Sequence, residues 1–310
     1  MTRIGIVGTG NIGACNATLS IGNGFETVVV AYDEEQRQRC IDIINRNFAE
    51  LKRAGKVTDG NIEAALKKLH LTFDYENLRD ADFIFETVFE DVAVKKEVYE
   101  KIEAVCKRDA VIASSTSSLT AEILSVHIRH KDRFIVAHPF QPTHLQPLVE
   151  LAGNRETTPE TIEKAKRILE QMKRVVVVIR KELPGFIGNR LAQAMFRESL
   201  YMIEQGMASA EDIDKAVKYV VGIRYASIGL LEYFDAVGFE LERDIAENVY
   251  PSLCDTKEIQ QIVRDGIERG DTGLNADKGL YAWTEAQKGD FNRRKVGPFF
   301  DMFDWNLPGE

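Results

Sequence analysis

The sequence is poor in the residues that build metal centres or disulfide frameworks. Its four cysteines, Cys15, Cys40, Cys106 and Cys254, are scattered without C-x-x-C spacing, which fits reduced thiols in a cytosolic protein better than a stapled or zinc-bound fold. No apolar stretch approaches the ~20 residues needed to cross a bilayer. The first expected strand starts at about residue 3, which leaves no room ahead of it for a signal peptide. A cytoplasmic chain with no membrane partner is therefore expected. Long basic runs are missing too, and the net charge of −9 argues against a nucleic-acid partner. Lys52-Arg53 with Lys56, and Arg293-Arg294-Lys295, read as solvated faces. There is no internal repeat and no low-complexity tract.

What is present is an alternation of short β-branched runs and helical patterns. Ile4–Val7, Thr27–Tyr32, Phe83–Phe85, Val111–Ala113, Phe134–Ala137 and Val175–Ile179 read as strands, with helical segments between them. Residues 34–70 read as two amphipathic helices broken at Gly55 and Asp59-Gly60. Alternating βα units of this length imply an α/β fold, a Rossmann-type, mostly parallel sheet covered on both faces. The pattern changes at Pro184-Gly185. A helix is expected from Phe186 to about Gly206, another over Ala210–Val221, and further helices over Asp235–Tyr250 and Thr256–Gly270. With 310 residues to divide, the expectation is a sheet domain over 1–183 and an all-helical domain over 184–310, ending in an irregular tail.

Gly8-Thr9-Gly10-Asn11-Ile12-Gly13 is a G-x-G-x-x-G run that follows an expected strand and opens an expected helix. Asp33 stands twenty residues past Gly13, at the end of the next strand. This is the context of a dinucleotide fingerprint. Glycines permit a tight turn and close approach of a pyrophosphate to the helix N-terminus, where amides and dipole favour anions. Asp33 would accept hydrogen bonds from the adenosine ribose and repel a 2′-phosphate, so NAD is the expected cofactor. The plainer alternative is a glycine turn in an unrelated α/β protein. Cys15, in the first turn of that helix, reads as a packing residue or as a thiol of lowered pKa.

At the end of the Phe134–Ala137 strand stands His138, with Pro139 and Pro142 stiffening the chain after it. A titratable ring on a stiff segment suits a general base. Glu150, in the apolar run Leu148–Leu151, needs a cationic or donor partner if buried. A structural His–Glu pair is the other reading, and His144 is a weaker rival as base. Glu90 and Lys95, beyond Phe83–Phe85, are candidates for the nicotinamide side because ligands sit at the carboxyl ends of parallel strands. An ordinary helix-start carboxylate and a solvated lysine remain open for them. Within Ser114–Ser118, hydroxyls could cap a helix or bind a substrate oxygen.

Taken in order, these features resemble the L-3-hydroxyacyl-CoA dehydrogenase family. The likeness rests on the fingerprint, the Ser/Thr run, His138-Pro-Phe-Gln-Pro, Leu148-Val149-Glu150 and Pro184-Gly185-Phe186-Ile187-Gly188-Asn189-Arg190. The resemblance implies an NAD-binding Rossmann domain and a helical domain that dimerises. It makes His138 the catalytic base and Glu150 its orienting carboxylate. It places Ser117 and Asn189 on the substrate oxygen, Ser117 also beside the cofactor, and Glu90 and Lys95 on the cofactor. Gln141 stands where the family usually has Asn, which puts any contact carried over to it in doubt.

The substrate is open at this level. An L-3-hydroxyacyl-CoA is put first, with Lys52, Arg53 and Lys56 available to CoA phosphates. The resemblance also implies an alternative, a free 3-hydroxy acid of the L-gulonate or carnitine type, and Arg224 in Gly222–Gly229 could pair with its carboxylate. A structural ion pair of Arg224 with Glu232 or Asp235 is the plainer reading. An NAD-binding protein without turnover is a more distant third.

Overall fold

The structure, a computed structural model, describes residues 2–309. These divide into two compact units, one of residues 2–187 with 293–309 and the other of residues 188–292.

The first unit is an eight-stranded sheet wrapped by helices. In chain order it runs β1 (Arg3–Val7), α1 (Asn11–Gly22), β2 (Glu26–Val30), α2 (Glu34–Arg53), α3 (Asp59–Leu66), β3 (Leu69–Thr72), β4 (Phe83–Glu86), α4 (Val92–Val105), β5 (Val111–Ser114), α5 (Ala121–Ser125), β6 (Phe134–Pro139), β7 (Leu148–Gly153), α6 (Pro159–Gln171) and β8 (Val175–Ile179). The strand order is β3-β2-β1-β4-β5-β6-β7-β8. Strands β3 to β6 in that order are parallel; β7 pairs antiparallel with β6, and β8 parallel with β7. The order reverses between β1 and β4, which opens a crevice at their carboxyl ends. The central strands β4 and β5 are buried along their whole length, as a sheet covered on both faces requires.

Local chemistry sets the helix limits. Asp33 caps α2 by accepting the Gln36 N–H, and α2 turns Cys40, Ile43, Ile44, Phe48 and Leu51 inward. Thr58 and Asn61 form a capping box at α3. Thr158 followed by Pro159 starts α6. Each of the larger apolar side chains buried this way contributes roughly 1.5–3 kcal/mol.

In the second unit the helices are α7 (Gly188–Glu204), α8 (Ala210–Ala216), α9 (Ile223–Tyr225), α10 (Leu230–Val237), α11 (Phe239–Val249) and α12 (Gln261–Arg269), and α13 (Glu285–Arg294) crosses its end. A helix α14 (Gly297–Asp301) follows in the first unit. Helices α10 and α11 have no buried residue at all.

Several expectations are corrected. The strand before His138 runs on through Pro139, whose missing N–H is tolerated at the last position. A short strand, β3, ends the segment expected to be helical up to residue 70. The helix expected from Phe186 starts at Gly188, because Gly185 (φ 83°) and Phe186 (φ 49°) are left-handed. The helix expected over Ala210–Val221 widens into a π turn at Val217–Gly222. The tail from Arg293, expected with the helical half, belongs to the first unit. Val296 and Trp305 are buried there and Phe299, Phe300, Phe303 and Leu307 pack on the same core.

Candidate active site

The glycine loop after β1 is shaped by contacts that exclude side chains. Gly8 has φ 108°, and a Cβ there would lie 2.8 Å from the Thr87 carbonyl oxygen. A Cβ on Gly13 would lie 2.1 Å from the Gly8 carbonyl oxygen. At Gly10 a Cβ would meet nothing within 4 Å, so the open side of the loop is there. Helix α1 starts at Asn11 with no side-chain cap and no acidic residue in its first turn. Its leading amides, Ile12 and Gly13 included, are therefore suited to an anion. Asp33, exposed at the far end of β2, spends one oxygen on Gln36 and faces solvent otherwise. These residues fit a dinucleotide: pyrophosphate at Gly8–Gly13, ribose at Asp33.

Asn11 also donates from Nδ2 to Gln141 Oε1 at 2.9 Å. Gln141 thus ties the fingerprint to the loop after His138, a partner that the sequence did not reveal.

The next strand ends, at β4 and β5, bring Glu90, Lys95 and the serine turn together. Glu90 Oε1 accepts the Ser117 N–H at 3.2 Å, the Ser118 N–H at 3.3 Å and the Ser118 hydroxyl at 2.9 Å, besides the Thr116 hydroxyl. Its Oε2 lies 3.3 Å from Lys95 Nζ. Partial burial raises the Glu90 pKa, but the Thr116 hydroxyl, the Lys95 charge and the Ser118 hydroxyl outweigh it, and the net shift is downward. Lys95 is not a solvated lysine: it is buried and bound to Glu86 at 2.9 and 3.0 Å. The Glu86–Lys95–Tyr99–Ser114 cluster escaped the sequence reading; a carboxylate ending a fully apolar strand was its one signal.

His138 and Glu150 are opposed residues of the β6–β7 ladder. Their side chains meet with His138 Nδ1 2.9 Å from Glu150 Oε2, and both are buried. Glu150 Oε1 accepts the Ile187 N–H at 2.9 Å. Phe186 stacks on the imidazole at 5.2 Å and Phe140 meets it edge-on at 4.8 Å. A carboxylate on Nδ1 fixes that nitrogen as the donor and leaves the Nε2 lone pair as the basic site. Ser114 on β5 is opposite Val136 on β6, so the serine turn and His138 leave the same edge of the sheet from neighbouring strands.

His144 does not rival this arrangement. It is buried, no polar partner meets either ring nitrogen, and burial, with Arg174 and Arg46 near by, pushes its pKa down to about 3. Burial pushes the Cys15 thiol up, the reverse of an activated cysteine. In the second unit, Asn189 lies in the first turn of α7 and Arg224 in α9. Arg224 pairs with neither Glu232 nor Asp235. Its Cζ sits 4.5 Å from the centre of the Tyr233 ring, while Glu232 caps the Gly229 amide. Lys52 is engaged by Asp59 at 2.6 Å.

Two family models cover the chain: the NAD-binding domain of 3-hydroxyacyl-CoA dehydrogenase matches residues 3–183, and the C-terminal domain matches 185–283. The chain belongs to the 3-hydroxyacyl-CoA dehydrogenase family. It is 32% identical to an L-carnitine dehydrogenase of Bacillus cereus, over 89% of this chain and 87% of that one. A 5-formyl-3-hydroxy-2-methylpyridine 4-carboxylate 5-dehydrogenase of Mesorhizobium japonicum is 26% identical over 92% of both chains. Among solved structures, (S)-3-hydroxybutyryl-CoA dehydrogenase of Ralstonia eutropha superposes with a TM-score of 0.75 at 26% identity, covering 92% of this chain and 100% of that one. Members of this 3-hydroxyacyl-CoA dehydrogenase family are NAD-dependent oxidoreductases, and this chain is one: a Rossmann domain followed by a helical domain, with NAD as cofactor.

Proposed function

We propose that this dehydrogenase oxidises a free 3-hydroxy acid to the 3-keto acid, with His138 as general base. The observation that carries the chemistry is the His138–Glu150 pair, buried and aligned by the strand ladder. NAD, held by the Gly8–Gly13 loop and Asp33, would supply the acceptor for the hydride of the carbinol carbon. His138 Nε2 takes the hydroxyl proton, and Glu150, anchored by the Ile187 amide, holds the ring in the required tautomer and offsets the imidazolium charge. General-base action of this kind is worth roughly 10²–10⁴-fold. Ser117 contacts the substrate oxygen, a role that the family resemblance gives separately to Asn189, and Glu90, through the serine turn, sets where Ser117 stands.

The free acid now precedes the CoA thioester for a physical reason. Arg224 rests on Tyr233 with no acidic partner among the described residues, so its N–H edge is free for a bidentate carboxylate. Lys52, one of the cations offered to CoA phosphates, is already paired. Two of the relatives are named for small free acids, L-carnitine and a pyridine 4-carboxylate, beside the structural neighbour named for 3-hydroxybutyryl-CoA. The same enzyme works, on this reading, as a homodimer through its helical unit, where Leu231, Phe239, Tyr219 and Tyr250 stand exposed. A cytoplasmic location fits its four free cysteines. No helix among the described residues is long and apolar enough to cross a membrane.

NADH formation followed by absorbance tests the substrate class. L-gulonate, L-carnitine and 3-hydroxybutyrate are offered in one set, and 3-hydroxybutyryl-CoA in another. Turnover confined to the thioester would overturn the free-acid reading.

A further inference from the structure

A second buried charge cluster, apart from the His138–Glu150 pair, sits at the carboxyl end of β4. Glu86 has no exposed surface and is the last residue of that strand, in register with Ser114 on β5. Its Oε1 accepts from the Val88 N–H and from Lys95 Nζ, both at 2.9 Å. Its Oε2 accepts from the Tyr99 hydroxyl at 2.8 Å, the Ser114 hydroxyl at 2.7 Å and Lys95 at 3.0 Å. An ionised carboxylate, which only accepts, matches such a ring of donors. Burial and the Glu86 charge push the Tyr99 phenol pKa up, which keeps Tyr99 a donor.

Lys95 is the hinge of the arrangement. Its ammonium is shared between Glu86 and Glu90, and Glu90 in turn gathers the amides of Ser117 and Ser118 on one oxygen. Consecutive amides converging on one anion form a nest, whose shape depends on where the anion is held. A lysine on a flexible four-carbon stem defines no position by itself. Its other carboxylate does, because that carboxylate is fixed by backbone, phenol and hydroxyl at once.

We infer that Glu86 is a positioning residue for the serine turn: by fixing Lys95 it holds Glu90 against Ser117 and Ser118, and so sets where Ser117 stands. The catalytic weight of this device rests on the reading of Ser117 as a substrate contact; the positioning itself does not.

Hydrogen exchange by mass spectrometry on the full chain, without cofactor, tests it. In Glu86→Gln, amides of residues 115–119 should exchange about tenfold faster, with β1 and β2 unchanged. Glu90→Gln should do the same, and the double variant Glu86→Gln/Glu90→Gln should be no faster than Glu90→Gln alone. Should Glu86→Gln fail to fold with Lys95 left short of a partner, the neutral pair Glu86→Gln/Lys95→Gln carries the same expectation. Unchanged exchange at 115–119 in a folded variant, a uniform rise over all core strands, or additive effects would each overturn the inference. Turnover separates the two readings. Faster exchange with undiminished kcat defeats the role of Ser117 and leaves the positioning intact, whereas unchanged exchange defeats the positioning whatever kcat does.

Discussion

His138 and Glu150 are direct cross-strand neighbours, and the antiparallel turn of β7 against β6 brings their side chains to 2.9 Å. That reversal in an otherwise parallel stretch of sheet is what gives His138 its carboxylate. Glu150→Gln keeps an acceptor for the Ile187 amide but can present an N–H to Nδ1, favouring the wrong tautomer. It should lower kcat by ~10²-fold or more, with little change in NAD affinity measured by titration of NADH fluorescence.

The glycine loop separates the effect of one kind of change on stability from its effect on NAD binding. Gly13→Ala places a Cβ against the Gly8 carbonyl oxygen. It should lower the melting temperature and weaken NAD binding by about tenfold or more. Gly10→Ala meets no protein atom within 4 Å; it should leave the melting temperature unchanged and weaken NAD binding alone. Calorimetric titration beside thermal melts distinguishes the pair.

Buried His144 makes stability depend on pH in a defined direction. Its pKa is pushed from 6.5 to about 3 by burial, with Arg174 and Arg46 adding to the effect. Below pH 6.5 the unfolded chain binds a proton that the folded one refuses, so the contribution is fully present above 6.5 and is lost as pH falls towards 3. Urea unfolding should show this loss at up to roughly 1.4 kcal/mol per pH unit for one group. In His144→Leu the dependence should be shallower by that amount.

Arg224→Met should raise KM for a free hydroxy acid by about tenfold or more while changing kcat less. Arg224→Lys should recover only part of the loss, since an ammonium lacks the planar fork. Steady-state kinetics on the best acid from the substrate set measure both.

Light scattering should give the mass of a dimer. Leu231→Glu with Phe239→Glu, both on exposed positions of helices without a buried residue, should shift it to monomer.

Much of the site was legible because its signals are local. A strand, three glycines and an acid stand in one short stretch, and His138 and Glu150 are only twelve residues apart. The Glu86 cluster was not legible, since it joins the ends of β4 and β5 to α4 through side chains that no sequence period marks. Strand β3 was missed because four residues with His70 facing out look like the end of a helix. The tail was misplaced because aromatic residues such as Trp305 show that a segment packs, but not on what; here Trp305 lies so close to Gly22 in α1 that a Cβ there would be 2.2 Å away.

The most direct test of the account is His138→Gln, assayed by single-turnover NADH formation beside NAD binding. A fall in the chemical step of ~10²-fold or more, with NAD affinity held within about threefold because the glycine loop is untouched, is the predicted result. Near-normal turnover in a folded His138→Gln that binds NAD would contradict it.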